Sequence, residues 1–447
     1  MSSPPAPASG AGKRGRTSDP GLASWASLPQ DLVRLVAWRL LADGDLLDYV
    51  RFRAVCTGWR SGAVSPRGLG VVDPRFHPRR WMMLPEGHCL YPGHPDLRGY
   101  ARFLNLDTGA WILSRIPLLE DHLAIDSVDG LLLLLGDQYL QGTVRLLHPF
   151  TGDIVDLPPL ATLLPQLGDS LSCCPVLYRI KKLASKVCAS ASFKDGVITV
   201  MLALGWVSRV AFATTTTSLD QKWNLSEFWA TPSLAFQGKL YMLQEADGYC
   251  DNHMHQFLEI GPPVQLRPPH LLATIPKSKF RNPRYLVECG SEILVLSYRG
   301  ASTSRILICR LADLVQQRIV PIRSIGDNTL FLDERCISVA SKVVSTVRGD
   351  NVVCEHPRQR YLAQYHISSG NWSRAIDDCS LYGRAQGPSS LVLYIYSCCT
   401  RTLWYEGLFA SFFIRCSSLL SIASTFGLAG KFFFFFLLHC VIVGTEE

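Results

Sequence analysis

Apolar positions in this chain follow three different patterns. Between Ser27 and Arg60 they recur at helical spacing. Leu32, Val36 and Leu40 stand at i, i+4 and i+8, and Leu46, Val50 and Ala54 repeat that spacing beyond Asp43-Gly44. Val55, Cys56 and Trp59 form a third apolar group before Ser61-Gly62. The pattern predicts three short helices. Ser27 with Gln30 three residues later fits a capping box, and Pro29 suits a first helical turn, where its missing N–H costs nothing.

From about residue 75 to 400 short β-type runs alternate with glycine turns. FLNLDTGAWIL surrounds Gly109, RLLHPFTGDIVDL Gly152, SFKDGVITVML Gly196 and LAFQGKLYML Gly238. Each predicts a strand, a turn in which glycine takes positive φ, and a second strand. These four glycines stand 43, 44 and 42 residues apart. That interval suits one four-stranded propeller blade per repeat, although a pair of β-sandwiches also turns this often. Later hairpins are predicted at Gly290, Gly349 and Gly370, at less even intervals.

From Leu403 the chain is strongly apolar. Arg415 and Lys431 divide this tail into pieces shorter than a spanning helix needs. Taken together, 416–444 is long enough, with Lys431 at mid-depth at a cost of about 2.5–3.5 kcal/mol. The readings for 401–447 are a membrane anchor, a strand run completing the β domain, or a non-homologous end, which the five-Phe run Phe432 to Phe436 favours.

Composition narrows the class further. At 447 residues there is room for two or three domains, and 48% apolar content is ample for a core. The net charge of +7 is diffuse. The dense basic run Lys13-Arg14-Gly15-Arg16 lies in a Pro/Ala/Ser/Gly-rich start, so residues 1–22 read as a solvated, disordered tail. A weak nuclear signal or a contact with nucleic acid is the alternative for this run; for the protein as a whole no nucleic-acid partner is expected. Fifteen cysteines are scattered without a C-x-x-C, and no signal peptide is evident, so reduced intracellular thiols are expected. The sequons at Asn224 and Asn371 would then be silent.

Catalytic constellations are missing from the sequence: no P-loop, no G-x-S-x-G and no H-E-x-x-H. Cys250, His253 and His255 have metal-ligand character but no second ligand cluster, and read as a polar loop. His88, Cys89 and His94 are similar, and Asp377-Asp378 reads as a solvated turn. The expectation is a non-enzymatic chain with no cofactor and no metal. Trp81, Trp111, Trp223, Trp229, Tyr298 and Arg299 are of the types that dominate binding hot spots, though most tryptophans in such a chain belong to the core.

Two resemblances sharpen this reading. Leu28-Pro29, Asp31-Leu32, Arg39-Leu40, the run Arg51 to Cys56 and Trp59-Arg60 resemble the F-box of plant F-box proteins, over about 40 residues (23–66). That resemblance implies docking on a Skp-type adaptor, and through it a cullin, by Leu28, Pro29, Leu32, Val36, Leu40, Val55, Cys56 and Trp59. Residues 75–400 resemble the KIB-type β-propeller-like domain that follows the F-box in many such proteins. The resemblance rests on Asp129-Gly130-Leu131, Leu147 to Gly152 with Leu157 to Leu160, Phe236 to Tyr241, Tyr285 to Glu288 and Gly326 to Leu332. His148 departs from the family's usual Asn, which predicts a looser turn. The family's Asn-Cys-Ile-Tyr-Phe strand has no clear counterpart; Val344 to Cys354 stands in for it, and one late blade is expected to be degraded.

The fold expected is thus a small all-α F-box module, an all-β propeller domain and a hydrophobic tail. The function implied is the substrate receptor of an SCF-type ubiquitin ligase, acting in the nucleus or cytoplasm on an unknown target protein. The alternative is a propeller binding protein, soluble or tethered through 416–444, without a ligase role.

Overall fold

In a computed structural model of the chain, the described residues are 25–42, 46–84, 100–136, 142–168, 174–215, 222–229, 234–246, 254–262, 268–280, 283–299, 305–344, 346–359, 361–375 and 391–400. The basic start, the tail 401–447 with its candidate span 416–444, the pair Cys250 and His253, the group His88, Cys89 and His94, and Asp377-Asp378 lie outside them. The chain divides into two compact units, Met1–Ser65 and Pro66–Glu447.

The first unit holds three helices, α1 (Gln30–Ala42), α2 (Leu46–Ala54) and α3 (Thr57–Gly62). α1 begins at Gln30, with the Pro29 carbonyl accepting from the Val33 N–H, so Pro29 sits before the first turn rather than in it. The Gln30 side-chain amide donates to the Gly58 carbonyl, tying α1 to α3.

The face of α1 that packs inside the unit is Val33, Ala37 and Leu41, one residue out of step with the predicted Leu32, Val36 and Leu40. Both sets satisfy the helical period, and only the neighbouring helices decide between them. On α2 the internal residues are Leu46, Tyr49 and Phe52; Val50 and Ala54 are exposed, contrary to expectation. The tyrosine hydroxyl donates to the Val64 carbonyl at 2.6 Å. The Cys56 thiol sulfur caps α3 by accepting from the Trp59 N–H. Trp59 stacks on Phe52 with ring centroids 4.5 Å apart, and its indole N–H donates to the Trp25 carbonyl.

The second unit is a six-bladed β-propeller. Blade one is β1 (Trp81–Met83), β2 (Tyr100–Asn105) and β3 (Trp111–Arg115). Blade two is β4 (His122–Val128), β5 (Leu131–Gly136), β6 (Val144–Leu147) and β7 (Ile154–Leu157). After helix α4 (Val176–Ser185), blade three is β8 (Val187–Lys194), β9 (Val197–Leu204), β10 (Arg209–Thr214) and β11 (Asn224–Trp229). Blade four is β12 (Leu234–Phe236), β13 (Lys239–Ala246), β14 (Met254–Ile260) and β15 (His270–Pro276). Blade five is β16 (Pro283–Cys289), β17 (Glu292–Arg299) and β18 (Arg305–Arg310), followed by α5 (Leu311–Val315).

Blade six runs β20-β19-β21-β22-β23, from β19 (Asn328–Phe331), β20 (Ile337–Ala340), β21 (Asn351–Glu355), β22 (Leu362–His366) and β23 (Asn371–Arg374). Its β19 and β21 are parallel, whereas every other pair in the propeller is antiparallel. The region expected to be degraded is therefore a full five-stranded sheet. Among the described residues, blades one and five have three strands each, and in blade five a single Cys309–Pro321 bridge stands where a fourth strand would pair. Gly349 is not a hairpin turn; it lies against the backbone of Gly326 and Asp327, where a side chain would crowd it.

Two kinds of tight turn build the blades. Asp129-Gly130, Asp195-Gly196 and Gln237-Gly238 each join the first two strands of a blade with positive φ at both residues, which is the two-residue hairpin matched to strand twist. The second kind runs from a side-chain acceptor to a glycine four residues on: Asn105 to Gly109, His148 to Gly152 and His366 to Gly370. The glycines at 109 and 152 belong to the second kind, those at 196 and 238 to the first. Their even spacing thus mixes non-equivalent turns, and equivalent first-hairpin glycines stand from 42 residues apart (Gly196 to Gly238) to 66 (Gly130 to Gly196).

The core lies between the sheets. Leu133, Leu135, Leu183, Val200 and Leu202 pack blades two and three together, and Val287, Leu294, Leu330 and Val352 join five to six. Helix α6 (Leu391–Cys399) is buried beside Leu84, Leu104, Phe331 and Val339, between the last blade and the first. Trp81, Phe103 and Phe150 meet edge to face between blades one and two.

His148 is fully buried, and its turn is not loose. Its Nδ1 accepts from the N–H groups of Phe150 and Thr151, as the Asn105 side-chain oxygen accepts from Asp107 and Thr108. Nε2 then carries the proton and donates to the Phe76 carbonyl at 3.0 Å. Burial holds its pKa below the ordinary imidazole value. Asp153 closes the same corner by accepting from the Gly68 and Gly70 N–H groups. Burial raises its pKa, but these backbone donors outweigh that and hold it low.

Candidate functional site

Each unit offers one candidate surface. On the helical unit the eight residues expected to dock an adaptor all retain exposure. Pro29, Leu32, Val36 and Val55 are exposed, and Leu28, Leu40, Cys56 and Trp59 are half-buried. The displaced register of α1 explains this: with Val33, Ala37 and Leu41 turned inward, Leu32 and Val36 remain outside, 46% and 43% exposed. Leu35, at 65%, extends the same strip, and the sequence reading missed it. Its spacing of three from Leu32 was the available signal. A row of large aliphatic side chains left in water on a short helix forgoes about 1.5–3 kcal/mol for each one that a partner would bury.

On the propeller the site is the central channel, a cavity of about 910 Å³. It is lined by the innermost strands β1, β4, β8, β12, β16 and β20 and by the turns at Asp129-Gly130, Gln237-Gly238 and Gly290-Ser291. Trp81 forms part of the wall; Trp223 is pure core, its indole N–H donating to Pro158. Trp111 and Trp229 stand exposed on outer strands, and Tyr298 is half-buried. The Arg299 side chain lies outside the described residues. The channel residues went unnoticed in the sequence because only blade closure brings them together.

Charged side chains line the channel in pairs. Arg335 lies 3.6 Å from Asp126, whose other carboxylate oxygen accepts from the Ala189 N–H across the blade two–three boundary. Lys186 meets Glu334 at 3.3 Å, and Arg79 meets Asp129 at 3.9 Å. Arg80 makes a forked pair with Asp107 and also donates to the Ser338 carbonyl, joining blade one to blade six. Burial pushes up the thiols of Cys289 and Cys336, the latter to about 12, which makes them poor nucleophiles at neutral pH. Among the described residues no group of three or more His, Cys, Asp or Glu is placed to hold a metal ion, and His255 is buried on β14. No described helix is long and apolar enough to cross a membrane.

Six sheets around a charged channel define a β-propeller, a fold that suggests a protein-interaction role. The family model described as the KIB1-4 beta-propeller matches residues 103–365, well over half of the chain, and the protein belongs to that family. No curated protein and no solved structure matches it.

Proposed function

We propose that this protein is the substrate-receptor subunit of an SCF-type ubiquitin ligase. Residues 23–66 act as an F-box that docks on a Skp-type adaptor and through it on cullin. The propeller recruits a target protein, and other subunits transfer the ubiquitin, so this chain supplies proximity and orientation rather than covalent chemistry. It works in the nucleus or cytoplasm. The observation that carries this reading is the exposed apolar strip Leu32, Leu35 and Val36 on a helix whose opposite side is already packed. It coincides with the Leu28-Pro29, Arg51-to-Cys56 and Trp59-Arg60 pattern of the F-box.

The test is co-purification of the full-length protein with a Skp-type adaptor. The Leu32→Asp/Val36→Asp double variant is expected to lose the adaptor while keeping the wild-type thermal midpoint. A variant that retains the adaptor as well as wild type would refute the assignment. So would Leu28→Ala/Pro29→Ala behaving the same way. The second reading, a propeller binding protein without a ligase role, draws support from the large channel. It would follow from target binding without any adaptor.

A further inference from the structure

Eight charged side chains line the channel: Arg79, Arg80, Lys186, Arg335, Asp126, Asp129, Glu334 and Glu288. Seven are engaged by the ion pairs described above, Arg80 with a carboxylate outside the lining. Glu288 is the exception. It stands at the end of β16, next to the Gly290-Ser291 turn, and has no hydrogen bond or ion pair among the described residues. It is half-buried, so water screens it only in part. Burial raises its pKa, against the pull of Arg80 and Arg79, both already committed to other carboxylates. A carboxylate left uncompensated in a cavity whose other charges cancel selects for positive charge.

We propose that the channel receives a basic side chain, lysine ammonium or arginine guanidinium, presented by the recruited protein, with Glu288 as its counter-ion. This rests on the propeller being the part that recruits a target. It adds a chemical preference: a lysine- or arginine-bearing loop or terminus that can enter the channel beside the Gly290-Ser291 turn. The paired charges around Glu288 favour this by rejecting a second anion or cation, which would have to break an existing pair.

The probes are four capped tripeptides, Ac-Gly-Arg-Gly-NH2 and its Lys, Gln and Glu counterparts, titrated into the full-length protein by ligand-observed NMR. The Arg and Lys peptides should bind saturably, about ten-fold or more tighter than the Gln peptide, and the Glu peptide should not bind. Glu288→Gln, nearly isosteric, should erase the difference, whereas Glu292→Gln, which removes the partner of Arg310 outside the channel, should not. Equal binding of the Gln peptide to wild type, discrimination surviving in Glu288→Gln, or no saturable binding by any peptide would each overturn the proposal. The wild-type comparison decides even if a variant folds poorly. Adaptor co-purification by Glu288→Gln separates the two claims. If it persists while peptide discrimination is absent, only the channel proposal falls. If peptides discriminate but no adaptor is held, the ligase assignment falls and the cation site stands.

Discussion

The helical unit and the propeller treat their large apolar residues in opposite ways. In the propeller most long apolar side chains of the inner strands are buried, and the channel they enclose carries charged side chains, seven of the eight in ion pairs. In the helical unit Leu32, Leu35, Val36, Val50 and Val55 all remain in water, although its internal packing is complete at Val33, Ala37, Tyr49 and Phe52. The difference is one of surface chemistry. An apolar strip would gain affinity from burial, whereas a rigid channel of fixed charges would discriminate by charge and shape.

The strongest test of this contrast attacks propeller closure. Gly130 has φ +83°, and a Cβ there would overlap the Pro78 carbonyl. Neither backbone can yield without displacing the blade one–two junction. Gly130→Ala is expected to cost about 3 kcal/mol or more. Calorimetry should show a markedly lower propeller transition. A wild-type midpoint would mean that the junction is softer than its packing indicates.

A smaller effect probes the helical unit by pairing an inward with an outward residue on α1. Val33→Ala removes buried methyl groups and should weaken the unit by about 1.5–3 kcal/mol. Leu35→Ala should change its stability by less than about 0.5 kcal/mol. Hydrogen exchange across residues 30–62 in the full-length protein reads both. Equal loss of protection would mean that the two faces of α1 are not distinct.

That pair also marks where the sequence became ambiguous. α1 carries apolar residues at both 32-36-40 and 33-37-41, and periodicity alone favours neither. The helices themselves were legible, because Asp43-Gly44 and the Cys56 region interrupt the pattern. The propeller was legible through its turn glycines, yet their even interval came from mixing two turn types. The parallel β19–β21 pair and the closing helix α6 left no local signal, since both depend on partners distant in sequence. Channel pairing was invisible for the same reason: Asp126 and Arg335, or Lys186 and Glu334, stand far apart along the chain.

The mildest prediction concerns His148, where the propeller keeps a titratable ring in a role that Asn105 fills with an amide. Its pKa is held below the ordinary 6.5, first by burial and then by neighbouring His77. The unfolded chain therefore binds the extra proton more readily. Stability from this site is fully present above pH 6.5 and declines as the pH falls below it. His148→Asn keeps an acceptor for the Phe150 and Thr151 N–H groups but loses the bond to Phe76, at a cost of about 1 kcal/mol at neutral pH. Below pH 6.5 the variant should lose stability less steeply than wild type, so the two midpoint curves converge on acidification. His255 and His356, whose pKa values are also lowered, contribute the same slope to both proteins and cancel in the comparison. Parallel curves would show that the ring is already able to charge in the folded state, and that the turn tolerates a proton its geometry gives no room for.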